Sequence, residues 1–157
     1  MKTSILFVCL GNICRSPAAE AVFLNKVKAK GLEDNFIVDS AGTGGWHVGN
    51  LADSRMRDAA SRRGIDIHSK ARKITLNDFQ TFDLILTMDN SNLDDVNRLA
   101  LDIGEKKISE IHPILSYSNN SNIIEVPDPY YGGENGFDHV LDLLNEAIEG
   151  LLLTFNL

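Results

Sequence analysis

The apolar residues Ile5-Leu6-Phe7-Val8 run without a polar break into Cys9-Leu10-Gly11-Asn12-Ile13-Cys14-Arg15-Ser16-Pro17, and helical spacing begins at Ala18. A run this short and this apolar reads as a strand buried on both faces, which requires a sheet with layers on either side. A loop of a few residues leading straight into a helix makes it the first half of a βαβ unit. The spacing predicts a helix over 18–30, with Ala21, Val22, Leu24 and Val27 inward and Gly31 as its stop. Ser16 is the expected N-cap and Pro17 the first helical residue.

The pattern repeats downstream. Phe36-Ile37-Val38 is a second short strand, followed by a loop from the glycine-rich Gly42-Thr43-Gly44-Gly45 to Trp46. Asp53 or Ser54 caps a helix running to about Arg63, with Gly64 as its stop, and Leu84-Ile85-Leu86 is a third buried strand. A helix is expected over 91–101, with Ser91 as cap and Asp94 in the box position, then a fourth strand within 108–115 that has Pro113 at its end or edge. After the turn-rich 127–133, the stretch 137–153 closes the chain as a long helix with Val140, Leu141, Leu144, Ile148 and Leu151 on one face. Strands alternating with helices favour an α/β fold: one domain over 1–157, three layers (α/β/α), with a four-stranded parallel sheet and the anion loop after its first strand. Sites in such folds lie at the carboxyl ends of strands, and Cys9 ends the first.

The balance of 15 basic against 22 acidic residues, a net charge of −7, argues against a general affinity for nucleic acid or acidic membrane, so any anion site is local. No segment is long and apolar enough to cross a bilayer. The chain enters its first strand without a charged-then-apolar export signal, so the cytoplasm is the expected compartment, with signal-less secretion left open. Two cysteines five positions apart do not staple a chain of 157 residues. They are chemistry or packing.

Cys9 and Arg15 bracket five residues, enough for a loop to curl with its N–H groups inward as a nest for an anion. Arg15 adds a planar, permanently charged fork that matches phosphate oxygens, and the helix start adds partial positive charge. All three favour the charged form of the Cys9 thiol. Attack on a phosphate monoester also needs a proton for the leaving oxygen. Asp128, stiffened between Pro127 and Pro129 and followed by Tyr130 and Tyr131, is the candidate donor. A carboxyl beside a bound dianion and aromatic walls keeps its proton until it is needed.

Cys9 to Pro17, together with Asp128-Pro129-Tyr130-Tyr131, closely resembles the low-molecular-weight protein tyrosine phosphatase family, and the match in length and element order spans essentially the whole chain. The resemblance implies hydrolysis of aryl phosphate monoesters, phosphotyrosine in proteins, with neither cofactor nor metal. Cys9 is then the nucleophile that forms a phosphocysteine, Arg15 the phosphoryl and transition-state ligand, and Asp128 the general acid and then base. Ser16 is the hydroxyl on the thiolate, Asn12 holds the loop's strained turn, and Ser40 supports that network. A histidine that braces Asn12 in animal members is replaced by Ser69 when Arg72 is aligned with the family arginine. Leu10, Gly11, Asn12, Ile13 and Cys14 complete the substrate loop, with Trp46, Tyr130 and Tyr131 at the cleft mouth. The bulk of Ile13, where phosphoarginine-cleaving relatives carry a small β-branched hydroxyl residue, favours an aryl phosphate. The expected partner is a phosphotyrosine-bearing protein, a tyrosine kinase among the candidates, and the enzyme is expected as monomer or weak dimer.

Cys14 either packs beneath the loop or, as the resemblance implies, forms a reversible disulfide with Cys9. Asp128 alone is a plain turn residue, and only its company with the first motif singles it out. His47, His68, His112 and His139 show no metal spacing and are read as surface or loop residues. A thioredoxin-linked arsenate reductase needs cysteines after Cys14, and there are none. A phosphocarrier predicts no Arg15, and a dead phosphate sensor predicts loss of Cys9 or Asp128. The Gly-Lys-Ser/Thr ending of a nucleotide loop is missing.

Overall fold

In the computed structural model, which describes residues 2–120, 122–130, 132–133, 135–155 and 157, the apolar run becomes β1 (Thr3–Cys9), the centre of a sheet in the order β2-β1-β3-β4. β2 is Phe36–Gly42, β3 Leu84–Thr87 and β4 Glu110–Pro113, and every pairing is parallel. β1 pairs along its whole length with β2, Thr3 opposite Phe36 through Cys9 opposite Gly42, and through Ile5–Val8 with β3. Pro113, which has no N–H to give, sits at the last position of the edge strand β4.

The helices are α1 (Arg15–Ala29), α2 (Ser54–Ser61), α3 (Asp78–Thr81), α4 (Asn90–Ile103) and α5 (Asn135–Leu153). Alternation along β1 sorts them into two layers. Ile5 and Phe7 face a core shared with Val22 and Phe23 of α1, Met56 of α2 and Leu144 and Ile148 of α5. Leu6 and Val8 face a second core with Phe79 of α3 and Val96 and Ala100 of α4. All four β1 side chains are fully buried, so the strand contributes about 2 kcal/mol per residue from both sides at once. Phe23 sits between Phe7 and Phe36, with ring centroids at 6.0 and 5.0 Å.

The chain leaves β1 toward β2 on one side and returns for β3 on the other. The strand order therefore reverses at β1, and a crevice opens at its carboxyl end. β2 runs on through Asp39, Ser40, Ala41 and Gly42, four residues past the expected strand. Helix α4 starts earlier than the Ser91 reading: Asp89 is its cap, accepting the Asn92 N–H, and Asn92 completes the box. No helix among the described residues is long and apolar enough to cross a membrane.

Candidate active site

The loop after β1 takes its shape from bonds that hold its carbonyls outward. Thr43 N–H donates to the Cys9 carbonyl and Gly44 N–H to that of Leu10, each at 2.9 Å, and Asp53 N–H donates to that of Ile13 at 2.7 Å. A trans peptide sets its N–H opposite its C=O, so the amides of Leu10, Gly11 and Cys14 face the inside of the curl. Gly42 makes this possible: a Cβ there would lie 2.7 Å from the Leu10 carbonyl oxygen and 3.1 Å from the Asn12 nitrogen. Asn12 takes the left-handed bend, φ 57°, where asparagine is one of the few tolerated side chains. Its Oδ1 accepts the Arg72 N–H at 3.0 Å, and its Nδ2 donates to Ser16 Oγ at 2.7 Å.

Ser16 is not the N-cap. The helix begins at Arg15 with Cys14 as its cap residue, and Cys14 makes no side-chain capping bond. The curl has moved Ser16 into the first turn, where its hydroxyl lies 3.0 Å from Cys9 Sγ and 3.4 Å from the Ala41 carbonyl. Having accepted from Asn12, Ser16 has one proton to give, and the sulfur is the nearer taker.

Arg15 is buried beside the sulfur. Nη1 donates to Asp89 Oδ2 at 2.6 Å and to the Val126 carbonyl at 3.0 Å, and Nη2 lies 3.7 Å from Asp128 Oδ2. Burial alone disfavours its charge, but Cys9, Asp89 and Asp128 more than offset this and hold the guanidinium above its ordinary value. Asp128 is carried in by its own turn: Oδ1 accepts the Tyr130 N–H at 3.0 Å, leaving Oδ2 toward Arg15. The turn is hung from the residue just after β3, because Val126 N–H donates to the Met88 carbonyl at 2.8 Å.

Cys9, Leu10, Gly11, Ile13, Cys14 and Arg15 line one cleft of about 390 Å³ with Trp46, His47, Asp128 and Tyr130. That is room for one aryl phosphate. Tyr130 is braced by Arg55, whose guanidinium carbon is 5.4 Å from the ring centroid. Trp46 is 71% exposed, its ring folded over Gly44. Tyr131, expected at the mouth, lies outside the described residues.

Cys14 is a free thiol, as is Cys9. Burial pushes it far up, and Asp53, Cys9 and Asp128 add to that, so its ordinary form is the neutral one. Ser40, expected in the network around Asn12, makes no direct bond to Asn12: its hydroxyl donates to Glu20 Oε1 on α1 at 2.6 Å and its N–H to Asp39 Oδ1 at 2.8 Å, and Asp39 accepts from Arg72, whose N–H is the brace on Asn12. The brace on Asn12 is a backbone amide, that of Arg72, and Ser69 makes no bond to it. No group of three His, Cys, Asp or Glu among the described residues is placed to hold a metal ion.

Two site residues escape the sequence reading. Asp89 binds Arg15 from the carboxyl end of β3, a position the rule about strand ends singles out. His47, read as a surface or loop histidine, is a loop residue that also lines the cleft. Its ring lies against Gly11, where a Cβ would come within 3.0 Å of Cδ2, and 6.3 Å from the Tyr130 ring centroid. Its place beside Trp46 in the glycine-rich loop was the available signal.

An α/β protein whose central strand delivers a thiol into a curl of amides backed by a buried guanidinium is, in class, a phosphate-loop protein of the cysteine type. The chain belongs to the low molecular weight phosphotyrosine protein phosphatase family, whose model matches residues 4–156. It is 48% identical over 134 residues to the low molecular weight phosphotyrosine protein phosphatase of Schizosaccharomyces pombe, covering 85% of this chain and 84% of that one. Among solved structures, a protein tyrosine phosphatase from Entamoeba histolytica with Hepes in its active site matches with TM-score 0.91 and 42% identity, over 98% of this chain and 96% of that one. A Drosophila arginine phosphatase matches with TM-score 0.93 and 34% identity, over 100% and 99%.

Proposed function

We propose that the protein hydrolyses phosphotyrosine in proteins, and aryl phosphate monoesters generally, through two in-line transfers at one phosphorus. In the first, the Cys9 thiolate forms the S–P bond as the ester P–O bond breaks, and Asp128 gives its proton to the departing phenolic oxygen. The amides of Leu10, Gly11 and Cys14 with the Arg15 fork hold the three equatorial oxygens, on which charge is spread in the transition state. In the second, Asp128 takes a proton from water as the water oxygen attacks phosphorus. The S–P bond breaks, the Ser16 hydroxyl steadies the returning thiolate, and inorganic phosphate leaves.

One observation carries this reading: Cys9 Sγ beside the Ser16 hydroxyl, the buried Arg15 and Asp128 converge on a single cleft. Leu10, Ile13, His47 and Tyr130 supply walls for a flat ring. Ile13 lines the cleft, and its bulk is what makes phosphoarginine, the substrate class in the name of the Drosophila relative, a poor substrate on this reading. The protein partner is a phosphotyrosine-bearing protein, with tyrosine kinases among the candidates.

Turnover of para-nitrophenyl phosphate in the presence of a chelator, with the Cys9→Ser variant as control, tests the reading. Cys9→Ser abolishes turnover, and acid-quenched wild-type enzyme carries label from 32P substrate on Cys9. Asp128→Asn loses about 10²- to 10³-fold on phenyl phosphate, and less on esters with better leaving groups. Retained turnover in Cys9→Ser, or equal losses for Asp128→Asn across leaving groups, refutes the scheme.

A further inference from the structure

Two polar side chains one turn apart on α1, Ser16 and Glu20, look toward β2. Ser16 meets the sulfur. Glu20 has most of its carboxyl withdrawn from water, and nothing in the scheme above uses it. Its hydrogen-bond partner is the Ser40 hydroxyl, at 2.6 Å. The charged groups that act on it are Asp39 of β2 and Arg72 of the segment after α2. Asp39 accepts the Ser40 N–H at 2.8 Å through Oδ1 and Arg72 Nε at 3.0 Å through Oδ2. The two terminal nitrogens of Arg72 grip the carboxylate of Asp78, each at 3.0 Å. The backbone of Arg72 is the brace on Asn12.

A path of hydrogen bonds, joined within Ser40 and Arg72 by the covalent chain from side chain to backbone N–H, thus leads from the Glu20 carboxyl through Ser40, Asp39, Arg72, Asn12 and Ser16 to Cys9 Sγ. Arg72 is the junction, and it already serves two carboxylates. We propose that Glu20 is a positioning residue for the phosphate loop: protonated, it leaves Arg72 to Asp39 and Asp78, and ionised, it is a third anion behind the loop that competes for Arg72 and weakens the hold on a phosphoryl group. Burial, and behind it Asp39, push the Glu20 carboxyl up to about 7, against the opposing pull of the Ser40 hydroxyl and Arg72. The inference rests on the loop being the phosphate site.

Both consequences of ionisation have one sign, so phosphate affinity falls as Glu20 loses its proton. One charge placed behind a binding loop, acting through a medium of intermediate dielectric, changes a binding constant by about three- to tenfold. Competitive inhibition by inorganic phosphate, measured against para-nitrophenyl phosphate, reads this in wild type and Glu20→Gln. The ionisation of phosphate itself cancels in the ratio of the two inhibition constants. That ratio is near one at about pH 5.5 and rises to about three to ten at about pH 8.5, turning over near neutrality. A ratio that does not change with pH, whatever its size, overturns the proposal. Ser40→Ala is the second variant. It removes the bond that favours the ionised carboxylate, so wild-type and variant constants diverge only around neutrality, and coincidence throughout also overturns it. If Cys9→Ser retains turnover, the phosphatase reading has failed. If Cys9→Ser is dead and the ratio is flat, only the role of Glu20 has.

Discussion

Asp89 does two things with two oxygens, and substitution can take them apart. Oδ1 caps α4 by accepting the Asn92 N–H at 2.8 Å, while Oδ2 accepts Arg15 Nη1 at 2.6 Å. Asparagine caps a helix about as well as aspartate, so Asp89→Asn keeps the first job and loses the charge facing Arg15. Asp89→Ala loses both. The cap is worth about 1 kcal/mol. Stripping a buried ion of its partner costs about 3–5 kcal/mol in general. Here the Val126 carbonyl at 3.0 Å and Asp128 at 3.7 Å stay with the guanidinium, and Asn still offers an oxygen, so about 2 kcal/mol is expected for Asp89→Asn. Asp89→Ala then falls at about 3–4 kcal/mol. Urea unfolding at neutral pH measures both, and kcat/KM for para-nitrophenyl phosphate measures the aim of the fork. A lapse in that aim costs about tenfold or more in either variant. Equal unfolding midpoints for the two variants would refute the separation of jobs. An Asp89→Asn protein as stable and active as wild type would show that Arg15 is aimed without it.

Gly42→Ala places a Cβ against the backbone of Leu10 and Asn12, atoms that cannot swing away. The curl must open, and kcat/KM falls about 100-fold with little change in the far-UV spectrum; an active Gly42→Ala enzyme would show that the loop does not depend on that close approach. Glu20 also makes stability depend on pH. Its ordinary value of 4.5 rises to about 7 in the fold, so the folded protein binds more protons between those values, and stability falls as pH climbs through that window and levels off above it. The cost is at most about 3 kcal/mol. Glu20→Gln removes it, so the variant's urea midpoint exceeds that of wild type at about pH 8, and the gap narrows toward about pH 4.5. A gap that stays constant contradicts this.

The parts of the site written into contiguous residues were legible. The spacing of Cys9 and Arg15 points to an anion loop, whereas the roles read for Asn12 and Ser16 come from the family resemblance; the structure brings all four together. Asp128 was legible only through its company with the first motif, since its prolines by themselves mark no more than a turn. What the sequence hid depends on contacts between distant segments. Ser16-Pro17 has the composition of a helix start, yet the left-handed bend at Asn12 and its bond from Arg72 draw the helix back to Arg15. Asp39 and Ser40 break an apolar pattern, so β2 read as ended there; they remain in the strand because Arg72 and Glu20 satisfy them. At the start of α4, Asp89 with Asn92 and Ser91 with Asp94 are equally good boxes on paper, and Arg15 adds a partner to the first. Strand order was not legible, since period-two and period-3.6 patterns say which residues are buried but not which strand lies beside which.

On the proposed reading the nucleophile and the phosphate loop come from β1 and the first turn of α1, clamped between two cores, whereas Trp46, His47, Tyr130 and the acid Asp128 come from surface segments that join other elements. Engine and doorway are thus separate components except at one turn, where Asp128 and Tyr130 are tied together. New side chains at Trp46 or His47 would then retune which phosphoprotein is admitted while the engine stays as it is, whereas a change at Tyr130 would reach Asp128 as well.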